Sequence, residues 1–304
     1  MADVQRLEES TREFRALDYR DGGGACRDAV LTALSGADQL LASAANDQVL
    51  DRLCVALADL HNLAGWTSFD IGLVDASLGH FDQALRLATN CHHHGLVANI
   101  CYRMGRVRLH HDAPEESLEH FELGQLSAKE AGSSLAAAIL SANQAWAYAR
   151  MGNSGRALSL LGQAESQLDA ADPDLAPPWA WFFDANDFSA MRATVYTELA
   201  RVVDLSHTRS AIPALTTAIA GYDENMARSR SFMLIMLATN HLLEGDLDEA
   251  AAVGVRALEM AGRLTSSRAR DRMRPLKNEA DRRRDNTGIR DLSDRVAAFM
   301  SGQG

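Results

Sequence analysis

Apolar residues recur at i, i+3 and i+4 almost without a break, and no stretch alternates apolar with polar residues in the manner of a half-buried strand. The pattern predicts an all-α protein. Self-similarity at longer range decides how the helices are arranged, because units repeating at a fixed period stack into an array. Gly65, Gly105 and Ala145 are small and lie 40 residues apart; Phe81, Phe121 and Leu161 follow in the same register, then Ala84, Gly124 and Ala164. Within one copy, Ala145, Tyr148, Gly152, Ala157, Leu161 and Ala164 fit a helix-turn-helix unit that turns at Gly152-Asn153. Small residues let the two helices approach, and the large one fills the groove between them. Ala238, Gly245-Asp246, Ala250 and Ala257 repeat this spacing, with Gly254 standing where the large residue would be. A degenerate copy between them carries Met191, Ala193 and Tyr196, then Ala211, Leu215 and Ala218, across a longer connection.

The expected fold is therefore a tetratricopeptide-like superhelical solenoid of about five helical hairpins with capping helices. Capping helices are assigned to residues 1–57, three repeats to 58–171, two more degenerate repeats to 172–262 and basic capping helices to 263–304. Three prolines between Asp172 and Pro178 cannot continue a helix and predict a kink in the array. Gly22-Gly23-Gly24, with no accompanying phosphate-binding pattern, reads as a flexible turn between two N-terminal helices.

Composition narrows the function classes. The 304 residues carry a formal net charge of −11, which argues against DNA or an anionic membrane as the main partner. No apolar stretch is long enough to span a membrane and the first residues do not read as a secretory leader, so the expected location is cytoplasmic. Cys26, Cys54, Cys91 and Cys101 form no Cys-x-x-Cys pair and read as reduced thiols. Between Arg263 and Arg284 nine Lys or Arg stand against Asp271, Glu279 and Asp281, so the remainder of the chain is close to −17. This basic segment reads as a solvated capping helix, with a nucleic-acid patch or a self-association element as alternatives.

Leu17-Asp18-Tyr19-Arg20, Gly22 to Val30, Leu60-His61-Asn62-Leu63-Ala64-Gly65-Trp66 and the C-terminal Ser267 to Arg272 with Arg274-Pro275-Leu276 carry a resemblance that extends over nearly the whole chain. In these residues the sequence resembles the tetratricopeptide receiver region of actinobacterial helix-turn-helix (XRE-type) transcriptional regulators, without the DNA-binding domain that precedes it in the family. The resemblance implies a regulatory module that receives a peptide, protein or small-molecule signal. It leaves open whether this is a receiver region alone or a relative without a reader of DNA.

Registering the copies on Gly65, Gly105 and Ala145 selects the side chains that would line the concave groove. They are Asn62, Trp66, Phe69 and Asp70, then Asn99, Tyr102, Arg106 and His110, then Ile139, Asn143, Trp146 and Arg150. Amides, arginines and aromatic rings suit the clamping of an extended peptide. Trp66 and Trp146 also suit packing between repeats, and both readings stand. Cys91-His92-His93-His94 and His110-His111 are the natural places for a metal, but a helix separates them by ~16 residues, ~24 Å at 1.5 Å per residue, so one ion cannot join them. No nucleophile-and-base motif or carboxylate pair supports catalysis. No cofactor is implied, and the chain reads as a binder rather than an enzyme. The alternatives are a homo-oligomerising scaffold built on the terminal helices and a His/Cys metal-dependent sensor or enzyme. Four aromatics in Trp179 to Phe183 read as a plug at the bend, or else as a partner surface.

Overall fold

A computed structural model describes residues 2–42, 46–172, 174, 176–264 and 267–302. Pro173 and Leu175 of the proline-rich stretch, and residues 265 and 266 of the basic segment, lie outside the described residues. Among those described, every regular element is helical and none is a strand.

Two helices open the chain, α1 (Ala2–Asp21) and α2 (Arg27–Ala42), joined through a short 3-10 turn at Gly23–Ala25. Five helix pairs follow: α3 (Asp47–Asp70) with α4 (Val74–Asn90), α5 (His94–His110) with α6 (Pro114–Glu130), α7 (Ser134–Arg150) with α8 (Ser154–Asp169), α9 (Ala185–Val202) with α10 (Thr208–Gly221), and α11 (Ala227–Glu244) with α12 (Leu247–Ala261). Each helix packs on its neighbours in sequence. Three shorter helices, α13 (Ser267–Arg272), α14 (Arg274–Asp281) and α15 (Thr287–Met300), end the chain. The boundary read at residue 57 falls inside α3, whose start is set further upstream by Asn46, an N-cap that accepts from the Val49 amide.

The 40-residue period is built from two half-periods of 20. Between α3 and α8 the backbone enters the left-handed region at Gly72, His92, Asp112, Gly132 and Gly152, one residue in every 20. At each of these turns the amide one residue further on reaches back to the last helical turn, as in Leu73 N to Ser68 O and Ser133 N to Ala128 O. His93, Ser133 and Asn153 then cap the following helix by accepting from Leu96, Ala136 and Arg156 amides.

The small and large columns meet inside the pairs. A Cβ on Gly65 would lie within 3.0 Å of the Phe81 ring, and one on Gly105 would collide with the Phe121 ring; both rings are fully buried. Gly124 gives the same clearance to Leu140 across α6 and α7. Gly254, where the large residue was missing, makes room for Leu292 of α15, so the last pair is closed by the terminal helix. Four apolar clusters run in order along the chain, from α1–α3 to α9–α15.

The curvature of this succession brings the ends together. Asp18 of α1 pairs with Arg228 of α11 at 3.1 Å across 210 residues of sequence. The segment after α12 turns inward: Ser267 Oγ donates to Asp70 O, and His110 meets Asp271 at 3.0 Å. Short helix α13 thus lies along the C-terminal ends of α3, α5 and α7.

Candidate functional site

The inner helices α3, α5, α7, α9 and α11 surround a cavity of about 130 Å³. The repeat places its lining at one level. Trp66, Arg106 and Trp146 are 40 residues apart and occupy equivalent positions on α3, α5 and α7, as do Asp70, His110 and Arg150 near the helix ends. Of the residues read from the sequence as groove-lining, Trp66, Asn99, Tyr102, Arg106, Ile139, Asn143 and Trp146 line the cavity. Asn62 bonds Asn99 from behind it. Phe69 packs edge-on against His110, and Arg150 donates to Asp112 Oδ1 and to Leu109 O, all outside the cavity.

The remaining walls come from segments that repeat spacing does not connect. Trp179 and Phe183 are buried, and Trp179 donates from Nε1 to Gly95 O at 3.0 Å while stacking on Tyr102. Phe182 also stacks on Tyr102 and lines the cavity, whereas Trp181 is 67% exposed. Tyr19 of α1 and Tyr222, Arg228 and Phe232 near α11 close a second side. Arg268 and Arg272 of α13 close a third.

These two arginines correct the expectation of a solvated basic helix. Arg268 is 4% exposed. Its guanidinium carbon lies 4.7 Å from the Trp66 ring centre and 5.0 Å from that of Phe69, and that of Arg272 lies 4.6 Å from Trp146. From α5, Arg103 approaches Trp66 to 5.2 Å and Arg106 approaches Trp146 to 4.9 Å, so each indole serves two guanidinium groups. Planar, weakly hydrated guanidinium is the cation that tolerates such stacking. The groups further along the segment behave as expected of an exposed helix: Arg282, Arg283 and Arg284 pair with Glu279, Asp281 and Asp294.

Charge is distributed unevenly around the cavity. Asp70 is fully buried; its carboxylate accepts from Gly23 N at 2.9 Å and lies 3.3 Å from Arg268 and 3.5 Å from Arg228. Asp18 also holds Arg228, whose charged form is thereby favoured despite its burial. Burial drives Arg268 down to about 10, against the opposing pull of Asp70, and drives Arg272 well below its ordinary range, with repulsion from Arg106 and Arg268 adding to the effect. Asp187, the carboxylate that lines the cavity, is pushed up to about 7 by burial, although the Tyr222 hydroxyl donates to it at 2.9 Å.

The first histidine cluster, Cys91 to His94, is turn chemistry. His92 supplies a left-handed residue, His93 caps α5, and His94 begins that helix. Among the described residues no three His, Cys, Asp or Glu side chains converge to hold a metal ion. His61 and His80, which spacing did not connect, meet through their Nδ1 atoms at 3.1 Å. Burial raises the Cys91 thiol to about 11, with Cys54 beside it contributing, and raises Cys26 and Cys101 to about 12, so these three thiols are poor nucleophiles. Among the described residues no helix is long and apolar enough to cross a membrane.

No known family model matches the chain, and no curated protein matches it in sequence.

Proposed function

We propose that the chain is a tetratricopeptide-like receiver module that binds a small-molecule signal in the cavity enclosed by its inner helices and its own C-terminal segment. The observation that carries the reading is the convergence of Trp66, Tyr102, Arg106, Asn143 and Trp146, from three successive inner helices, on one space of about 130 Å³. A few polar groups converging on a concave pocket with aromatic and aliphatic walls are the common form of a ligand site. An extended peptide is a poorer occupant, because α13 already lies along the ends of the helices that would bind it. The sequence resemblance supports a regulatory role, with the ligand's effect passed on to transcription.

Closure also offers a route for the signal. The cavity wall contains α1 and, from the far end of the chain, α11 and α13, whose contacts hold the array shut, so a bound molecule acts on the curvature of the whole chain.

Native mass spectrometry of the protein isolated gently from its producing cell tests this reading. The expected result is one additional small organic mass per chain, released on denaturation and absent from Ser229→Trp, which places an indole in the cavity from the start of α11. A chain that carries only a partner protein, with the Ser229→Trp variant retaining it, would refute the cavity as the receptor site.

A further inference from the structure

The cavity contains more positive charge than the protein neutralises. Five arginines line it, from α5, α11 and α13, whereas the lining carboxylate is Asp187. Arg228 and Arg268 are held by Asp18 and Asp70. Arg103 donates to a backbone carbonyl, that of Asn62, and Arg106 makes only long contacts to Tyr102 and Asn143. Arg272 is half-buried, and among the described residues no carboxylate lies within ion-pair distance of it; Glu198 of α9, already paired with Arg201, favours its charged form from further away. The Nε atoms of both Arg268 and Arg272 are buried without a hydrogen-bond partner among the described residues.

An unpaired buried charge is expensive, and natural cores remove it by substitution unless something compensates for it. The aromatic faces of Trp146 and Phe232, 4.6 and 5.4 Å from Arg272, give only part of that compensation. Planar guanidinium groups with free donors are instead suited to a carboxylate or phosphate, which they bind through charge-assisted hydrogen bonds. Size sets a second limit. A cavity of about 130 Å³ is close to the roughly 150 Å³ that accommodates benzene in an apolar protein interior. Tyr102, Trp146, Phe232 and the methionines of α9 and α11 supply the flat and polarisable surface that such a body needs.

Accepting the cavity as the receptor site, we propose that its ligand is a small organic anion, a carboxylate on a body about the size of one six-membered ring, anchored by Arg272 with Arg106 and Arg268 beside it. The anion supplies at contact distance the counter-charge that Glu198 gives only from further away, so binding also fixes α13 against the inner helices. Arg272 is in this view retained for the ligand at the expense of the unliganded fold.

Calorimetric titration of the full chain at physiological ionic strength tests the proposal with benzoate, its neutral isostere benzamide, benzylamine and inorganic phosphate. Benzoate is expected to bind at least tenfold more tightly than benzamide, and benzylamine not at all. Arg272→Met is expected to lose at least tenfold in benzoate affinity, to leave benzamide unchanged, and to unfold at the same or a higher temperature than the parent. Arg272→Lys should fall between the two, and Arg106→Gln provides a second reading should the methionine variant fail to fold. Equal binding of benzoate and benzamide would overturn the anion assignment while leaving the receptor reading intact. Phosphate binding as tightly as benzoate would overturn the ring-bearing carboxylate in favour of a bare oxyanion. Failure of all four probes to bind would overturn the proposal outright, with native mass spectrometry deciding separately whether the cavity is occupied at all.

Discussion

Asp70 joins four distant parts of the chain, and its removal gives the sharpest test of how the array is closed. The residue ends α3, its side chain is inaccessible to solvent, and its carboxylate meets the Gly23 amide, Arg228 and Arg268 at 2.9, 3.5 and 3.3 Å. Asp70→Asn keeps the shape and removes the charge. Two guanidinium groups, both under 10% exposed, then lose a counter-ion that water cannot replace. Breaking a buried ion pair by neutralising one partner costs about 3–5 kcal/mol, a large share of the roughly 5–15 kcal/mol that keeps a domain folded. Urea unfolding should therefore show an unfolding free energy lowered by that amount, seen as a lower midpoint at unchanged slope. A double-mutant cycle with Arg268→Met isolates the electrostatic part. With the arginine already gone, Asp70→Asn should cost about 2 kcal/mol less than it does alone, because Arg228 keeps Asp18 and the charge that the substitution strands, that of Arg268, no longer exists. Hydrogen exchange should rise first in the turn at Gly23–Ala25 and in α13, which Asp70 ties down, rather than in the middle of α5 or α7. A loss below about 1 kcal/mol, or strictly additive single effects, would refute the account of Asp70 as the counter-ion on which closure depends.

Other perturbations address the repeat itself and its pH response. Gly105→Ala drives a methyl group into the fully buried Phe121 ring and should destabilise by about 1–3 kcal/mol, with partial recovery on adding Phe121→Leu; an unchanged melting temperature would contradict the small-large pairing. His92→Gly relieves a non-glycine residue at φ 52° and should stabilise by about 1 kcal/mol in thermal unfolding, and a loss would mean that the imidazole makes a contact outweighing the strain. Burial pushes His110 down to about 4 from an ordinary 6.5, with the hydrogen bond to Asp271 only partly opposing it. The unfolded chain thus takes up a proton that the folded chain refuses, so stability should fall as pH drops from 6.5 towards 4, by up to about 3 kcal/mol, and His110→Gln should flatten that slope; parallel profiles for the two proteins would refute it.

The helical class and the 40-residue spacing were legible because they are local. A small residue facing a ring 16 positions later fixes the approach of two helices joined by a three-residue turn, and Gly65 with Phe81 or Gly105 with Phe121 carries that information within one hairpin. The half-period was less visible, because its marker is a backbone conformation rather than a residue type: glycine occupies it at 72, 132 and 152, but histidine and aspartate occupy it at 92 and 112. The Cys91–His94 cluster that drew attention as chemistry is one of these non-glycine turns, in which His92 tolerates a left-handed backbone and His93 caps the next helix.

The site was legible from one side only. Repeat register brought Trp66, Arg106 and Trp146 to a common level, since residues 40 apart in equivalent helices must share a face. What lies opposite them depends on how far the array curves, a property summed over five helix pairs and absent from any single one. The decisive signal was present in another form. Arg268 and Arg272 are four residues apart, so on a helix they project from one side, and they alternate with Ala269, Met273 and Leu276, all of which are fully buried. A solvated basic helix would show the opposite arrangement, apolar residues on one face and cations on the other. Two arginines interleaved with buried apolar residues in an acidic chain have to find aromatic surface or an anion inside the fold, and here Trp66, Trp146 and Asp70 supply the first partners while Arg272 retains donors for another.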